Sequence, residues 1–325
     1  MLAAVAGFLV LNCSVLHAAS PLVVIDDFSG NPSTNGWQIF GDGSLFAWNA
    51  TNRNLEVTWD SSRPNSYFYK PLGRTLTRAD DFTLDFELRL RDIAIGTTPG
   101  KPYTFQIAIG LLNLEQATNA TFLRGTGADS PNLFEFDYFP DSGFGATISP
   151  TVISSNGEFA TAFVIEELTT NDLFRVRMRM DESGQRVVFS LTRNGASFVA
   201  APVSIGPNFT DFRVDALAVM SYSDAGQVPE YAGSILAHGV IDNISLSAGN
   251  APRLDLKLAG EFEGGNFRVE FNTFAGWRYR VYRTTDFAAW TLVDSYTSTN
   301  SERATIVHEN PPAQAQFYQI WSDRP

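Results

Sequence analysis

The hydrophobic positions of this chain recur with a period of two. In "DFTLDFELRLRDI" Phe82, Leu84, Phe86, Leu88 and Leu90 fall on one side, and Thr83, Asp85, Glu87, Arg89 and Arg91 on the other. Successive side chains of a strand point to opposite faces, so this stretch predicts a long strand with one face in a core. "YTFQIAIGLL" repeats the pattern, with Phe105, Ile107, Ile109 and Leu111 turned inward. "LFRVRMRMDESGQRVVFSLTRNG" reads as a hairpin. Val176, Met178 and Met180 take one face, Arg175, Arg177 and Arg179 the other, and Asp181 to Gly184 supplies the turn. A helical period is not sustained over any long stretch, and "LLNLEQATNATFL" has room for one turn. Many strands, turn residues between them and almost no helix predict an all-β sandwich.

"VVIDDFSG" at Val23 and "VIDNISLS" at Val240 resemble each other and open and close one domain. Pairing of these first and last strands would bring their aspartates together. "SAGNAPR", Ser247 to Arg253, carries linker signals, and a second β pattern follows in "NFRVEFNT", "GWRYRVYRTTDFAAWTLV" and "QFYQIWS". The first twenty residues, "MLAAVAGFLVLNCSVLHAAS", are uncharged and apolar, then small, which reads as a secretory signal peptide cleaved near Ala18 to Ser20. The apolar run is short for a membrane span. The expected organisation is a signal peptide at 1–20, a sandwich at 21–248, a linker at 249–252 and a small β-sandwich at 253–325. The expected destination is outside the cell or on its surface.

Charge changes the picture in one respect. The net charge is −12, and residues 21–252 hold 26 acidic against 15 basic side chains. That balance argues against nucleic acid and anionic membranes as partners. Cys13, in the apolar leader, is the only cysteine, so the rest of the chain has neither disulfides nor thiolate metal sites. His238 and His308 stand one per domain, which does not suit zinc.

"IDDFSG…NGW", the long alternating strands, "DESGQ" followed by "RNG", and the closing "IDNISL" together resemble concanavalin A-like jelly rolls, the laminin-G and lectin/glucanase sandwiches. The resemblance spans residues 22–248. The tail, 253–325, resembles small C-terminal β-sandwich modules of secreted bacterial proteins, which implies attachment or spacing.

Against that background "NLFEFDYFPDSGFGATISP" draws attention. Phe134, Phe136 and Tyr138 share one face; Leu133, Glu135, Asp137 and Phe139 share the other. The carboxylate-bearing residues are about 6.6 Å apart along the strand. The family-16 glucanases that the resemblance includes carry E-x-D-x-E or E-x-D-x-x-E, with nucleophile, helper and general acid in that order. Glu135 and Asp137 match the first two positions. Phe139 and Pro140 stand where the acid should be, and Asp141 comes one residue later, after a proline. The expected role of Glu135 and Asp137 is therefore sugar binding, with a bland solvated face and a degenerate glycosidase as competing readings.

Pyranose faces are apolar and their rims are hydroxyls, so a sugar groove wants aromatic platforms beside hydrogen-bonding groups. Tyr67, Tyr69 and Trp48 are the named candidates, with Tyr103, Tyr222 and Tyr231 behind them; Trp37 and Trp59 read as core. The arginine row 175–177–179 is expected to pair with acidic neighbours across the sheet. The resemblance also implies a structural calcium ion between the first and last strands, at Asp26 or Asp27 and Asp242, whose hard oxygens suit it. The function expected is a secreted, non-catalytic protein binding polysaccharide or a surface glycan. A structural or adhesive surface protein without sugar specificity is the alternative.

Overall fold

The computed structural model describes residues 22–95, 106–124, 130–183, 185–199, 201–207, 209–224, 234–249, 259–263, 266–273, 278–286, 289–299, 303–309, 311 and 317–323. The expected leader at 1–20, residues 250–252 of the expected linker, Tyr103 and Tyr231 lie outside them. From residue 21 onward the chain divides into two compact units, 21–252 and 253–325.

The larger unit is an all-β jelly-roll sandwich of two antiparallel sheets. The back sheet runs, edge to edge, Ala196–Val199, Arg186–Arg193, Phe174–Asp181, Phe82–Ile95, Ile235–Ala248, Asn54–Asp60 and Phe46–Asn49. The front sheet runs Phe159–Thr161, Thr147–Ile153, Leu133–Phe139, Ile107–Leu112, Val214–Ser221, Ser66–Leu76 and Gln38–Phe40. Alternation decides what lies between them. Phe82, Leu84, Phe86, Leu88 and Leu90 are all at most 2% exposed. Phe82 meets Phe134 of the front sheet edge to face at 4.8 Å, and Phe86 meets Phe136 at 5.6 Å. Trp59 is buried in this core, as its spacing after Leu55 and Val57 predicts, and Trp37 is buried there too, as expected. The helical stretch is the single turn Leu114–Ala117, N-capped by Asn113.

The long strand Ile235–Ala248 explains how the two ends of the unit meet. Its first half pairs with Asn54–Asp60, and its second half pairs with Leu22–Asp26, in the register Leu22↔Ala248 to Asp26↔Ile244. A bulge at Asp242–Ser245 separates the halves, with Asn243 in the left-handed region at φ 47°. Asparagine tolerates that conformation better than most residues.

On the outer face of the back sheet the arginine row is paired as its sequence pattern predicts. Arg175 opposes Glu87 (2.7 Å) and Arg177 opposes Asp85 (2.6 Å) in adjacent strands. These pairs are exposed, so each contributes about 0–1 kcal/mol.

The smaller unit has two three-stranded antiparallel sheets among its described residues. One is Ala259–Glu263, Asn266–Asn272 and Arg303–His308; the other is Thr291–Thr297, Arg278–Thr284 and Phe317–Asp323. Phe267, Val269, Phe271, Tyr279, Val281 and Ile306 form its interior.

Candidate functional site

Register places the predicted carboxylates in the middle of the front sheet, on the side away from the core. One row of facing residues reads Thr161, Thr151, Glu135, Gly110, Ala218, Tyr69 and Gln38. The next reads Ser149, Asp137, Ala108, Met220, Tyr67 and Phe40. Hydroxyls, carboxylates, small residues and the named Tyr67 and Tyr69 thus share one surface, while the third named platform, Trp48, lies in the back sheet.

That surface is covered. Every residue of Leu133–Phe139 is buried, on both faces of the strand, and Glu135 and Asp137 are 0% exposed. The cover includes the segment that follows the single helical turn. Phe122 stacks on Tyr222 at 6.2 Å, its carbonyl accepts from Asn65 Nδ2 at 3.0 Å, and Ser130 N–H donates to the Leu123 carbonyl while Ser130 Oγ accepts from Leu123 N–H, each at 2.9 Å. This anchoring delivers Arg124, itself 2% exposed, onto both carboxylates. Its Nε donates to Glu135 Oε1, and one terminal nitrogen donates to Asp137 Oδ2 at 2.7 Å.

The remaining oxygens are also engaged. Tyr222 Oη donates to Glu135 Oε2 at 2.9 Å, and Gln106 Nε2 donates to Asp137 Oδ1 at 3.2 Å. Burial, then the charge of Glu135, pushes the Tyr222 phenol well above its ordinary value. Tyr67 shifts the same way for the same two reasons, and its hydroxyl donates to the Ala117 carbonyl at 3.1 Å. Both phenols stay protonated and act as donors. Gly110 completes the arrangement, because a Cβ there would overlap the Phe134 carbonyl and the backbone of Glu135. The close approach of the two strands at Glu135 requires glycine.

A retaining glycosidase needs a free nucleophilic carboxylate and a second carboxyl group across the scissile bond. Here both oxygens of Glu135 accept hydrogen bonds from buried donors, and Asp137 sits behind the same guanidinium. The pair is wired as an internal ion cluster. Removing one partner from such a cluster is costly, because the other charge stays buried.

The named aromatic platforms are also drawn inward. Tyr67 is 0% exposed. Tyr69 is half-buried, with its hydroxyl on Gln38 Oε1 at 2.9 Å. Trp48 is half-buried and donates Nε1–H to the Phe28 carbonyl at 2.9 Å. Tyr67 and Phe68 lie on opposite faces of one strand and are both buried, so the strand is closed on both sides at that point. Arg124 and Gln106 carry the cluster and were not singled out in the sequence. Arg124 lies in "TFLRGTGADS", which has no period to read, and Gln106 sits where the strand pattern starts.

The metal candidates meet at the bulge. Asp26, 3% exposed, accepts from Phe28 N–H and Trp37 Nε1–H, each at 2.8 Å. Asp27 is exposed and caps Ser29, whose hydroxyl and backbone hold its carboxyl below the usual range. The Asp242 carboxyl is raised, first by burial and then by Glu87, Asp27 and Asp26. The local field therefore favours a cation. Among the described residues, however, no three carboxylate or histidine side chains converge as ligands.

Solvent-exposed aromatics stand at the edge of the same sheet, and the sequence pattern did not single them out. Phe159 is 45% exposed, Phe163 70% and Phe144 85%. Phe159 flanks the hydroxyl end of the rows, since it pairs with Ile153 and Thr161 pairs with Thr151, and Phe163 follows it in the chain just before Val164–Ile165, which pairs with Thr147–Ile148.

No protein-family model matches the chain, and no curated protein matches it in sequence. Solved structures resemble it in fold. A peanut lectin in complex with a nonapeptide aligns at 14% identity and a TM-score of 0.46, covering 71% of this chain and 98% of the lectin. An alginate lyase bound to alginate tetrasaccharide aligns at 11% and 0.39, covering 70% and 96%. A legume lectin-like domain from Entamoeba histolytica aligns at 8% and 0.41, covering 70% and 96%.

Proposed function

We propose that the larger unit is a non-catalytic carbohydrate-binding module of a secreted or cell-surface protein, and that the smaller unit attaches or spaces it. The observation that carries the non-catalytic part is the occupancy of Glu135, with Arg124 on one oxygen and Tyr222 on the other. A carboxylate so held, with no exposed surface, is not presented to a substrate. The binding part is supported by the exposed Phe159 on the front-sheet edge strand, beside Thr161, where an apolar sugar face and its hydroxyl rim would both find partners.

A structural or adhesive role without sugar specificity is favoured by one observation: the middle of the front face is filled. A glycan array on the full chain separates the two. Retained glycan with no release of reducing ends is the expected result. Reducing ends released from any bound polysaccharide would restore the glycosidase reading, and no glycan retained would leave the structural role. The calcium ion belongs to the same proposal as a stabilising ion near Asp242, read by Tm with calcium and with a chelator.

A further inference from the structure

Between the edge strand Phe159–Thr161 of the front sheet and Val203–Ser204 of the back sheet lies an open groove of about 470 Å³. Small-molecule sites run from about 300 to 1,000 Å³. One wall is the half-exposed ring of Phe159, with Phe209 beneath. Polar groups line the rim: Glu158, Thr161 and Ser204. Glu158 is held in place through one oxygen, which accepts the Thr210 N–H. Gly206 forms part of the lining, and a Cβ added there meets nothing within 4 Å. The glycine therefore faces space that a ligand could fill, at a backbone conformation any residue adopts.

We propose that this groove is the saccharide seat, and that it takes neutral rather than uronate glycans. The inference rests on the carbohydrate-binding reading above and names its site and substrate class. A planar apolar ring beside hydroxyl and carboxylate acceptors matches a pyranose, which stacks one face and donates from its rim. The charge selects among sugars. Among the described residues the only acidic or basic side chain in the lining is Glu158, and the surrounding unit carries an excess of eleven acidic groups. A uronate carboxylate entering there meets like charge with no cation among the described lining residues to pair it, whereas a neutral hexose donates its hydroxyls to Glu158. Repulsion of this kind selects as effectively as added attraction.

The test is calorimetric titration of the full chain with cello-, laminari-, malto- and mannohexaose and with an alginate hexamer. Phe159→Ala, Gly206→Phe and Glu158→Gln are titrated in parallel, with folding checked by thermal unfolding. The expected result is binding of at least one neutral hexaose, about tenfold weaker in Phe159→Ala, where the stacking ring is lost, and absent in Gly206→Phe. Alginate binds the parent weakly or not at all, and Glu158→Gln narrows that gap. Should Gly206→Phe fail to fold, Phe159→Ala decides, since its ring is already half in solvent. Neutral binding unchanged in both groove variants would overturn the seat while leaving the carbohydrate reading intact. Tighter binding of alginate than of every neutral hexaose would overturn the selectivity. No binding by the parent chain would overturn the carbohydrate reading and the seat with it.

Discussion

The middle and the edge of the front sheet carry the same kinds of residue and put them to opposite use. In the middle, Glu135 and Asp137 lie beside Tyr67 and Tyr222, all at most 1% exposed, with Arg124 closing the cluster from above. At the edge, Glu158 lies beside Phe159 and Thr161 with water on one side. Acid plus aromatic plus hydroxyl is therefore not a sugar site by composition alone. What separates the two regions is the cover. A segment pinned by Phe122 and Asn65 lands a guanidinium on the first, and nothing comparable among the described residues lands on the second. Changes in the middle should damage folding, and changes at the edge should damage binding.

The largest effect is expected from Arg124→Met. It leaves two carboxylates buried without the guanidinium and should cost about 3–5 kcal/mol in urea unfolding. An exposed, ligand-facing pair would give a loss near zero and erase the contrast. Tyr222→Phe removes the donor on Glu135 Oε2, and Gly110→Ala pushes a methyl group into the Glu135 backbone. Each should cost about 1–3 kcal/mol in the same assay. The back sheet offers a control of equal charge and opposite exposure. Arg177→Ala breaks a 2.6 Å pair with Asp85 at the surface and should cost at most about 1 kcal/mol.

The smallest effect concerns Asp242. Its folded carboxyl value is raised above the unfolded one, so the protonated form is favoured by folding. Stability then falls as pH rises from the ordinary carboxylate range through that raised value. Asp242→Asn should flatten this slope and raise Tm slightly at neutral pH, and calcium should do so only in the parent if it binds there. A slope unchanged by the substitution would place the effect elsewhere.

The sandwich was legible because burial on one side writes a period of two into the chain. Phe82 to Leu90 shows it most clearly, and the pairing of the first strand with the last followed from two similar ends. The facing of Glu135 and Asp137, away from Phe134 and Phe136, was legible for the same reason. Whether that second face was open was not. A period reports which residues share a side, and cover arrives from segments without one: Arg124 comes from a loop, and Phe122 packs on Tyr222 a hundred residues away in the chain. The aromatics at the edge were missed for the converse reason. "FATAFVIEE" alternates too briefly to show that Phe159 and Phe163 stay in solvent.

The central claim is that the carboxylates in the middle of the sheet are structural charges held by Arg124. It is tested most directly by comparing the equilibrium unfolding of Arg124→Met with that of Arg124→Met/Glu135→Gln/Asp137→Asn. Neutralising the stranded carboxylates should recover most of the lost stability, so the triple variant is expected to be the more stable despite two further substitutions. A triple variant less stable than the single one would contradict the account.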